Sequence, residues 1–251
     1  MAADRATGAV RIAGATDTGR RRPENQDAMD WRLAPDGASA VAVVADGVGG
    51  RPGGARASGL AVNAVVDRFD GGWPDSPDAV DRSLQEAVAA ANRSIRGARD
   101  ADPKYAQMAT TLIVAAARAA GVALAHVGDS RAYHYRTGVL SRLTRDHTVA
   151  QQMVDDGVLR PEQLDRVPYA NVLSRAVGAA ETVEAAFNTT SWQPGDRVLL
   201  CSDGLNAALA EDTIAAVLAE PDLAGAAARL IDESNRAGAP DNVTVLLLEP
   251  Q

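Results

Sequence analysis

Two pairs of short apolar segments, each joined by a tight turn, constrain the fold of this chain most. Residues 111–115 and 122–127 flank Ala119-Ala120-Gly121, and residues 131–136 and 139–143 flank Thr137-Gly138. Each pair predicts a β-hairpin, and therefore antiparallel strands. Other apolar segments predict further strands, at residues 10–15, 29–33, 40–45, 183–190, 197–202 and 243–248.

Helical periodicity falls between groups of strands and does not follow every strand. One apolar stripe covers residues 61–69, and the longest predicted helix begins at Ser76-Pro77, where a capping serine precedes a proline. Shorter stripes lie at residues 214–218 and 223–231. Strands in hairpins and helices in groups predict an α+β protein with antiparallel sheets covered by helices.

The chain of 251 residues shows no internal repeat, low-complexity tract or linker, so we expect a single domain over residues 1–251. Residues 145–172 are polar and mixed. They predict an excursion from the main fold, with a helix at residues 149–157. Because 46% of the residues are hydrophobic but only 4% aromatic, the core must be built mainly from Ala, Val, Leu and Ile.

Charge and targeting signals narrow the classes of partner. A net charge of −8 argues against nucleic acid and anionic membranes. Residues 1–5 carry no apolar secretory segment, and the only cysteine, Cys201, lies in an apolar strand where an inert thiol is expected. These features predict a cytoplasmic protein that does not insert into membranes.

Aspartates at the ends of predicted strands are the chemically informative residues. Asp46, Asp129 and Asp203 each follow an apolar strand and adjoin glycine, and Asp241 comes just before the last strand. A single Asp-Gly more often marks a turn than a metal site. Four such carboxylates converging at one place would repel one another unless a cation joined them, and oxygen ligands suit Mg²⁺ or Mn²⁺.

Nine segments then occur in the order typical of one enzyme family. They are T-D-T-G-R-R-R-P-E-N-Q-D at 16–27, V-A-D-G-V-G-G at 44–50, G-A-R-A-S at 54–58, M-A-T-T-L at 108–112, V-G-D-S-R-A-Y at 127–133, L-T-R-D-H-T at 143–148, L-S-R-A-V-G at 173–178, L-L-C-S-D-G-L at 199–205 and P-D-N-V-T-V at 240–245. The chain resembles the metal-dependent protein phosphatases, the type 2C serine/threonine phosphatases, and in particular their compact bacterial members. The resemblance implies a four-layer α-β-β-α sandwich with a metal cleft at one end.

The resemblance also implies a set of metal ligands. Asp46 would bridge two Mn²⁺ or Mg²⁺ ions, and the Gly47 carbonyl would bind the second ion. Asp203 and Asp241 would complete the ligands of the first. Asp129, together with Asp203, corresponds to the acidic pair of a third, weaker metal site in bacterial members.

Two further residues take roles in catalysis by the same resemblance. Arg22 would hold the substrate phosphate, and its planar guanidinium suits phosphate oxygens. Asp27 would orient metal-bound water. Val48 stands where many eukaryotic relatives have a histidine that acts as a general acid, which leaves protonation of the leaving group unassigned. Gln26 stands where some relatives have glutamate.

The three histidines are not predicted to be catalytic. His126 and His134 lie in predicted strands and should be structural. His147 opens the excursion, where we expect it to pack or form hydrogen bonds near the site. In the family, the excursion corresponds to a flap beside the catalytic cleft, which would influence substrate access and the third metal.

The implied function is hydrolysis of phosphoserine and phosphothreonine by a water or hydroxide that bridges the metals, reversing the action of bacterial Ser/Thr kinases on their substrates. We expect a monomer. Two alternatives stay open. One is a pseudophosphatase that binds without turnover, although such proteins usually lose metal aspartates. The other is a metal-dependent hydrolase of small phosphomonoesters or nucleotides.

Overall fold

The computed structural model describes residues 10–48 and 53–251. Its strands are β1 Val10–Asp17, β2 Asp27–Leu33, β3 Ser39–Val48, β4 Ala109–Thr110, β5 Leu112–Arg118, β6 Gly121–Val127, β7 Arg131–Arg136, β8 Val139–Arg142, β9 Ala186–Thr190, β10 Arg197–Cys201 and β11 Val243–Pro250. Its α-helices are α1 Gly54–Asp70, α2 Pro77–Ala101, α3 Val149–Asp155, α4 Asp203–Ala208, α5 Glu211–Leu218 and α6 Leu223–Arg236.

The strands form two antiparallel sheets. The first has the order β1-β11-β10-β7-β8, and the second has the order β2-β3-β5-β6-β9, with β4 paired to β3. Both predicted hairpins are present, as β5–β6 and β7–β8. The second turns through Thr137 and Gly138, which have φ of 48° and 86°, as a two-residue hairpin turn requires.

The sheets pack face to face, and helices cover their outer faces. In β3, Ala40, Ala42 and Val44 face the other sheet, whereas Val41 and Val43 pack under α1 and α2. This alternation explains why the strand is apolar on both faces. Helices α4, α5 and α6 cover the outer face of the first sheet. The predicted α+β, four-layer architecture is confirmed.

Local capping supports two of the predicted helices. Ser76 precedes Pro77 at the start of α2, and its hydroxyl accepts a hydrogen bond from Ala79 N at 3.3 Å. Thr148 caps α3 in the same way. Helix α3 and a 3₁₀ helix at Pro161–Arg166 lie within the excursion at residues 145–172. No helix within residues 10–48 and 53–251 has the length and apolar composition needed to cross a bilayer.

Two elements differ from the sequence expectation. The strand predicted at residues 183–190 begins only at Ala186, opposite His126, because its partner β6 ends at Val127 and leaves little strand for residues 183–185 to pair with. The short helix α4 was not predicted, since its first residues, Asp203-Gly204, read as a turn.

Candidate metal centre

Five aspartates meet at one end of the sandwich. Asp46 lies in β3 at the middle of the second sheet, and Asp27 pairs with it across β2 and β3. Asp203 lies two residues after β10 and begins α4, Asp241 lies two residues before β11, and Asp129 lies two residues after β6. Strands β10 and β11 lie in the middle of the first sheet, so the carboxylates of the two sheets face each other across the cleft.

Burial and mutual repulsion raise the pKa values of these carboxyl groups. The pKa of Asp46 is well above its usual value, because of burial first and then of the charges on Asp27, Asp203 and Asp129. Burial followed by the charge of Asp241 raises the pKa of Asp203. For Asp129, burial and the charge of Asp203 raise the pKa to about 7. Such crowded negative charge favours a bound cation.

Unpartnered oxygens fit the same interpretation. Oδ1 of Asp27 and Oδ1 of Asp203 are buried and accept no hydrogen bond within the described residues. Buried carboxylate oxygens normally have a partner, and a hard cation would supply one. No three His, Cys, Asp or Glu side chains in the described ranges are nevertheless gathered into a ready-made ligand set for one ion. The donor chemistry suits divalent cations, while the role of each aspartate as a ligand stays a prediction.

Asp27 is held rigidly beside Asp46. Its Oδ2 accepts hydrogen bonds from Ser202 Oγ and Thr244 Oγ1, both at 2.7 Å. Burial outweighs these two hydrogen bonds and raises the pKa of Asp27 to about 6. The other oxygen, Oδ1, is therefore the free acceptor of this carboxyl group.

Arg22 reaches the same cleft from the loop between β1 and β2. Its Nη2 donates to Asp241 Oδ2 at 2.6 Å, and the Arg22 side chain is 53% exposed. The two residues line a cavity of about 190 Å³ together with Pro23, Glu24, Gln26, Asp46, Gly47 and Asn242. A cationic donor and the carboxylate cluster thus share one small cavity.

Asn242 fixes the position of the loop that carries Arg22. Its Nδ2 donates to the carbonyl oxygens of Thr18 at 2.8 Å and Glu24 at 3.0 Å, and its Oδ1 accepts from Gln26 N at 2.9 Å. The sequence analysis assigned no role to this residue. Its position immediately after Asp241 was the one available signal.

Hydroxyl groups hold the backbone of Asp46, and these too were not predicted. Thr110 Oγ1 donates to Asp46 O at 2.8 Å, and Thr111 Oγ1 accepts from Asp46 N at 2.9 Å. Thr111 Oγ1 is also hydrogen-bonded to Ser130 Oγ, at 2.7 Å. Ser130 follows Asp129, so this chain of hydroxyls joins two of the predicted ligands.

Gly47 lies where no side chain would fit. A Cβ there would overlap the carbonyl of Gly54 and approach Gln26 O to 2.7 Å. This close packing brings the Gly47 backbone to the edge of the cavity. The predicted use of its carbonyl as a ligand stays a prediction.

Comparison with known proteins identifies the family. The model of the protein phosphatase 2C family matches residues 18–237. The serine/threonine protein phosphatase PstP of Mycobacterium tuberculosis is 36% identical over 246 residues, which is 98% of this chain and 46% of PstP. This chain belongs to the protein phosphatase 2C family.

Other protein phosphatase 2C members give the same result. A serine/threonine phosphatase of Listeria monocytogenes is 32% identical over 240 residues, covering 93% of each chain. The structure of the catalytic domain of PstP in complex with two manganese ions is 34% identical, with a TM-score of 0.82, and it covers 96% of this chain and 98% of that one. The chain spans about half the length of the mycobacterial relatives, 46% of each.

The sequence analysis identified Val48 and Gln26 as departures from other members of the protein phosphatase 2C family. Val48, the position of the predicted departure from histidine, is 38% exposed at the end of β3. Its apolar side chain cannot transfer a proton. Gln26 is turned toward Glu24, to which its Nε2 donates at 2.6 Å.

A larger groove, of about 590 Å³, lies at the opposite end of β6. It is formed by the start of α2 and the β5–β6 turn and is mostly apolar. Its acidic residues, Asp75 and Asp81, are not gathered with the five aspartates. The small cavity at Arg22 is therefore the candidate active site.

Proposed function

We propose that this chain is a serine/threonine protein phosphatase that works with two Mn²⁺ or Mg²⁺ ions. The observation that carries the proposal is the meeting of Asp27, Asp46, Asp129, Asp203 and Asp241 at one end of the sandwich, beside Arg22. The bound manganese ions of PstP support the choice of metal.

We take the ligand assignment from the family resemblance, and the positions of the aspartates support it. Asp46 is central to the cluster and interacts electrostatically with the other four, which suits a bridging ligand. Asp203 and Asp241, from the facing sheet, would bind the first ion, and the Gly47 carbonyl the second. Asp129 with Asp203 would form the weaker third site, as their mutual repulsion favours a shared cation.

The chain's own residues would bind phosphate and direct the attacking water. When bound, the two ions supply positive charge at the phosphate and acidify the water that attacks it. Arg22 would exchange its ion pair with Asp241 for the phosphate oxygens. Oδ1 of Asp27, fixed by the hydrogen bonds to Oδ2, would accept a hydrogen bond from the attacking water and so orient it.

The substrates we propose are phosphorylated proteins, including Ser/Thr kinases and the proteins that they modify. The net charge of −8 disfavours nucleic acid as a partner. We further propose that the chain works as a monomeric single domain in the cytoplasm.

The test is hydrolysis of a phosphothreonine peptide with Mn²⁺ and with EDTA. We expect turnover only with Mn²⁺, and loss of turnover in Asp46→Asn, which keeps the side-chain shape but removes its charge. Asp232→Asn, which changes an exposed aspartate on α6, is the matched control and should retain wild-type activity.

Two results would contradict the proposal. EDTA-resistant turnover, or full activity in Asp46→Asn, would show that turnover does not depend on metal ions bound at Asp46. A kcat/KM for para-nitrophenyl phosphate that exceeds the value for the phosphopeptide would instead favour a hydrolase of small phosphomonoesters.

A further inference from the structure

His147 makes three hydrogen bonds, two to the turn before Asp129 and one to the far side of the excursion. Gly128 N donates to His147 Nδ1 at 3.2 Å, and His147 N donates to Gly128 O at 2.8 Å. Ser174 N, on the far side of the excursion, donates to His147 O at 2.9 Å. One residue therefore contacts both ends of the excursion and the Gly128 turn.

The Gly128 turn has little freedom to adopt another shape. Its φ is +103°, and a Cβ would lie 2.7 Å from the side chain of Thr111. The next two residues are Asp129 and Ser130, and Ser130 is hydrogen-bonded to Thr111. The hydrogen bonds with His147 therefore constrain the backbone that orients the Asp129 carboxylate.

The base of the excursion closes immediately beside His147. Thr148 and Leu173 form an isolated antiparallel bridge, and Val149 N donates to Val172 O at 2.8 Å. These contacts and the His147–Ser174 bond form a short stem. The stem holds the two ends of the excursion together.

The imidazole of His147 is set up to accept a hydrogen bond. Its ring packs against the buried ring of His126, with the ring centroids 4.7 Å apart and the planes tilted by 35°. Burial, and then the charge of Arg175, lowers the pKa of His147. A neutral ring whose Nδ1 accepts from Gly128 carries its proton on Nε2.

Neighbouring ion pairs hold the same region without touching the Gly128 turn. Asp146 is bound by Arg131 at 2.8 Å and also by Arg142. These pairs fasten residue 146 to β7 and β8. The direct link to the Gly128 turn is made by His147 alone among the hydrogen bonds of residues 145–148 in the described chain.

We infer that His147 is a positioning residue that couples the stem of the excursion to the orientation of the Asp129 carboxylate. The conformation of the excursion and cation binding at Asp129 therefore change together. The part that concerns Asp129 rests on the proposed function. The coupling between stem and turn rests on the hydrogen bonds alone.

A pair of variants separates this role from packing. In His147→Asn, Oδ1 replaces Nδ1 at the same number of bonds from Cβ, so the acceptor for Gly128 N is kept. In His147→Gln, the acceptor moves one carbon farther out, although the side chain is closer in size to histidine. If His147 acted by packing alone, His147→Gln would behave more like the wild type than His147→Asn. If it acts as the hydrogen-bond acceptor for Gly128 N, His147→Asn would behave more like the wild type.

Hydrogen exchange of the metal-free protein is the first measurement. In His147→Gln we expect exchange at Gly128 and in residues 148–173 to be about 10-fold faster than in the wild type, and in His147→Asn to be close to the wild type. Mn²⁺ titration by calorimetry is the second. His147→Gln should weaken the lower-affinity site about 10-fold and leave the tighter binding unchanged.

The inference is overturned if Asn and Gln behave alike in exchange, or if Gly128 is affected while residues 148–173 are not. His126→Phe keeps a ring for stacking and should behave like the wild type in both measurements. Because exchange is followed without metal or substrate, failure of the proposed function would appear separately, as wild-type protein without Mn²⁺-dependent turnover.

Discussion

Arg22 and Asp241 form an ion pair whose members both remain accessible, with side-chain exposures of 53% and 30%. Such a pair contributes little to stability. The N–H donors of Arg22 are therefore available to a phosphate group, which offers several oxygens to the guanidinium.

Replacement of Arg22 should affect substrate binding more than metal binding. We expect Arg22→Ala to raise KM for a phosphothreonine peptide about 10- to 100-fold, the range for losing a hydrogen bond between charged groups. Arg22→Lys should recover part of this loss. Steady-state kinetics with a parallel Mn²⁺ titration would measure both effects, and an unchanged KM in Arg22→Ala would exclude contact with phosphate.

At the level of single residues, the sequence identifies the groups that carry charge. Asp46, Asp129 and Asp203 could be found because each follows an apolar strand and adjoins glycine. Asn242 could not be assigned a role, since its partners Thr18 and Glu24 lie 224 and 218 residues away. Nor could the hydroxyls of Thr111 and Ser130, whose contact forms only when β5 and β6 pair.

Among the helices, α4 contains one of the five aspartates. It begins at Asp203, and Gly204 packs directly on the backbone before β11. A Cβ at Gly204 would overlap the carbonyl oxygen of Asn242. The close approach of these two segments sets the separation of Asp203 from Asp241.

Two glycine-to-alanine changes within helices should therefore have opposite effects. Gly204→Ala should lower the free energy of unfolding by about 1–3 kcal/mol through overpacking, and should weaken Mn²⁺ binding. Gly97→Ala, on the exposed face of α2 with no atom within 4 Å, should raise it by about 0.5–1 kcal/mol. Chemical denaturation measures both, and a stabilising Gly204→Ala would contradict the tight contact.

Strands and helices could be predicted where the local sequence pattern agrees with the strand pairing or helix packing of the fold. The hairpins β5–β6 and β7–β8 follow from apolar segments around tight turns, and α2 follows from its cap and stripe. Helix α4 has only six residues, too few for a periodic pattern, and exists because tertiary packing holds it against β11 and α6. The start of β9 depends on where β6 ends, which its own residues do not encode.

For the whole molecule, the carboxylate cluster gives stability a distinctive dependence on pH. Asp27 and Asp129 have pKa values of about 6 and about 7 in the folded protein. In an unfolded chain the pKa of an aspartate is about 4. Between these values the folded state binds more protons than the unfolded state. The contribution of these two carboxyl groups to stability without metal therefore falls as pH rises from about 4 to about 7. The buried His126, whose pKa is lowered to about 3, opposes this fall below about pH 6.5.

Thermal unfolding in EDTA should show this trend directly. We expect Tm to fall between about pH 6.5 and about pH 8, where His126 is largely neutral in both the folded and the unfolded state. The fall should be smaller in Asp129→Asn, which removes one of the raised pKa values. Mn²⁺ binds the ionised carboxylates, so the increase in Tm that it causes should be larger at the higher pH. A metal-free Tm that increases with pH over this range would contradict the raised pKa values.

The fastening of the Arg22 loop by Asn242 has a consequence for biosynthesis. Residues made early in translation can be held in place only after the segment that leads into β11 has emerged from the ribosome. A nascent polypeptide that already contains Arg22, Asp46 and Asp203 is thus still without its anchor and without Asp241. The proposed dephosphorylating activity should then appear only after β11 has been synthesised, and not build up as the polypeptide lengthens.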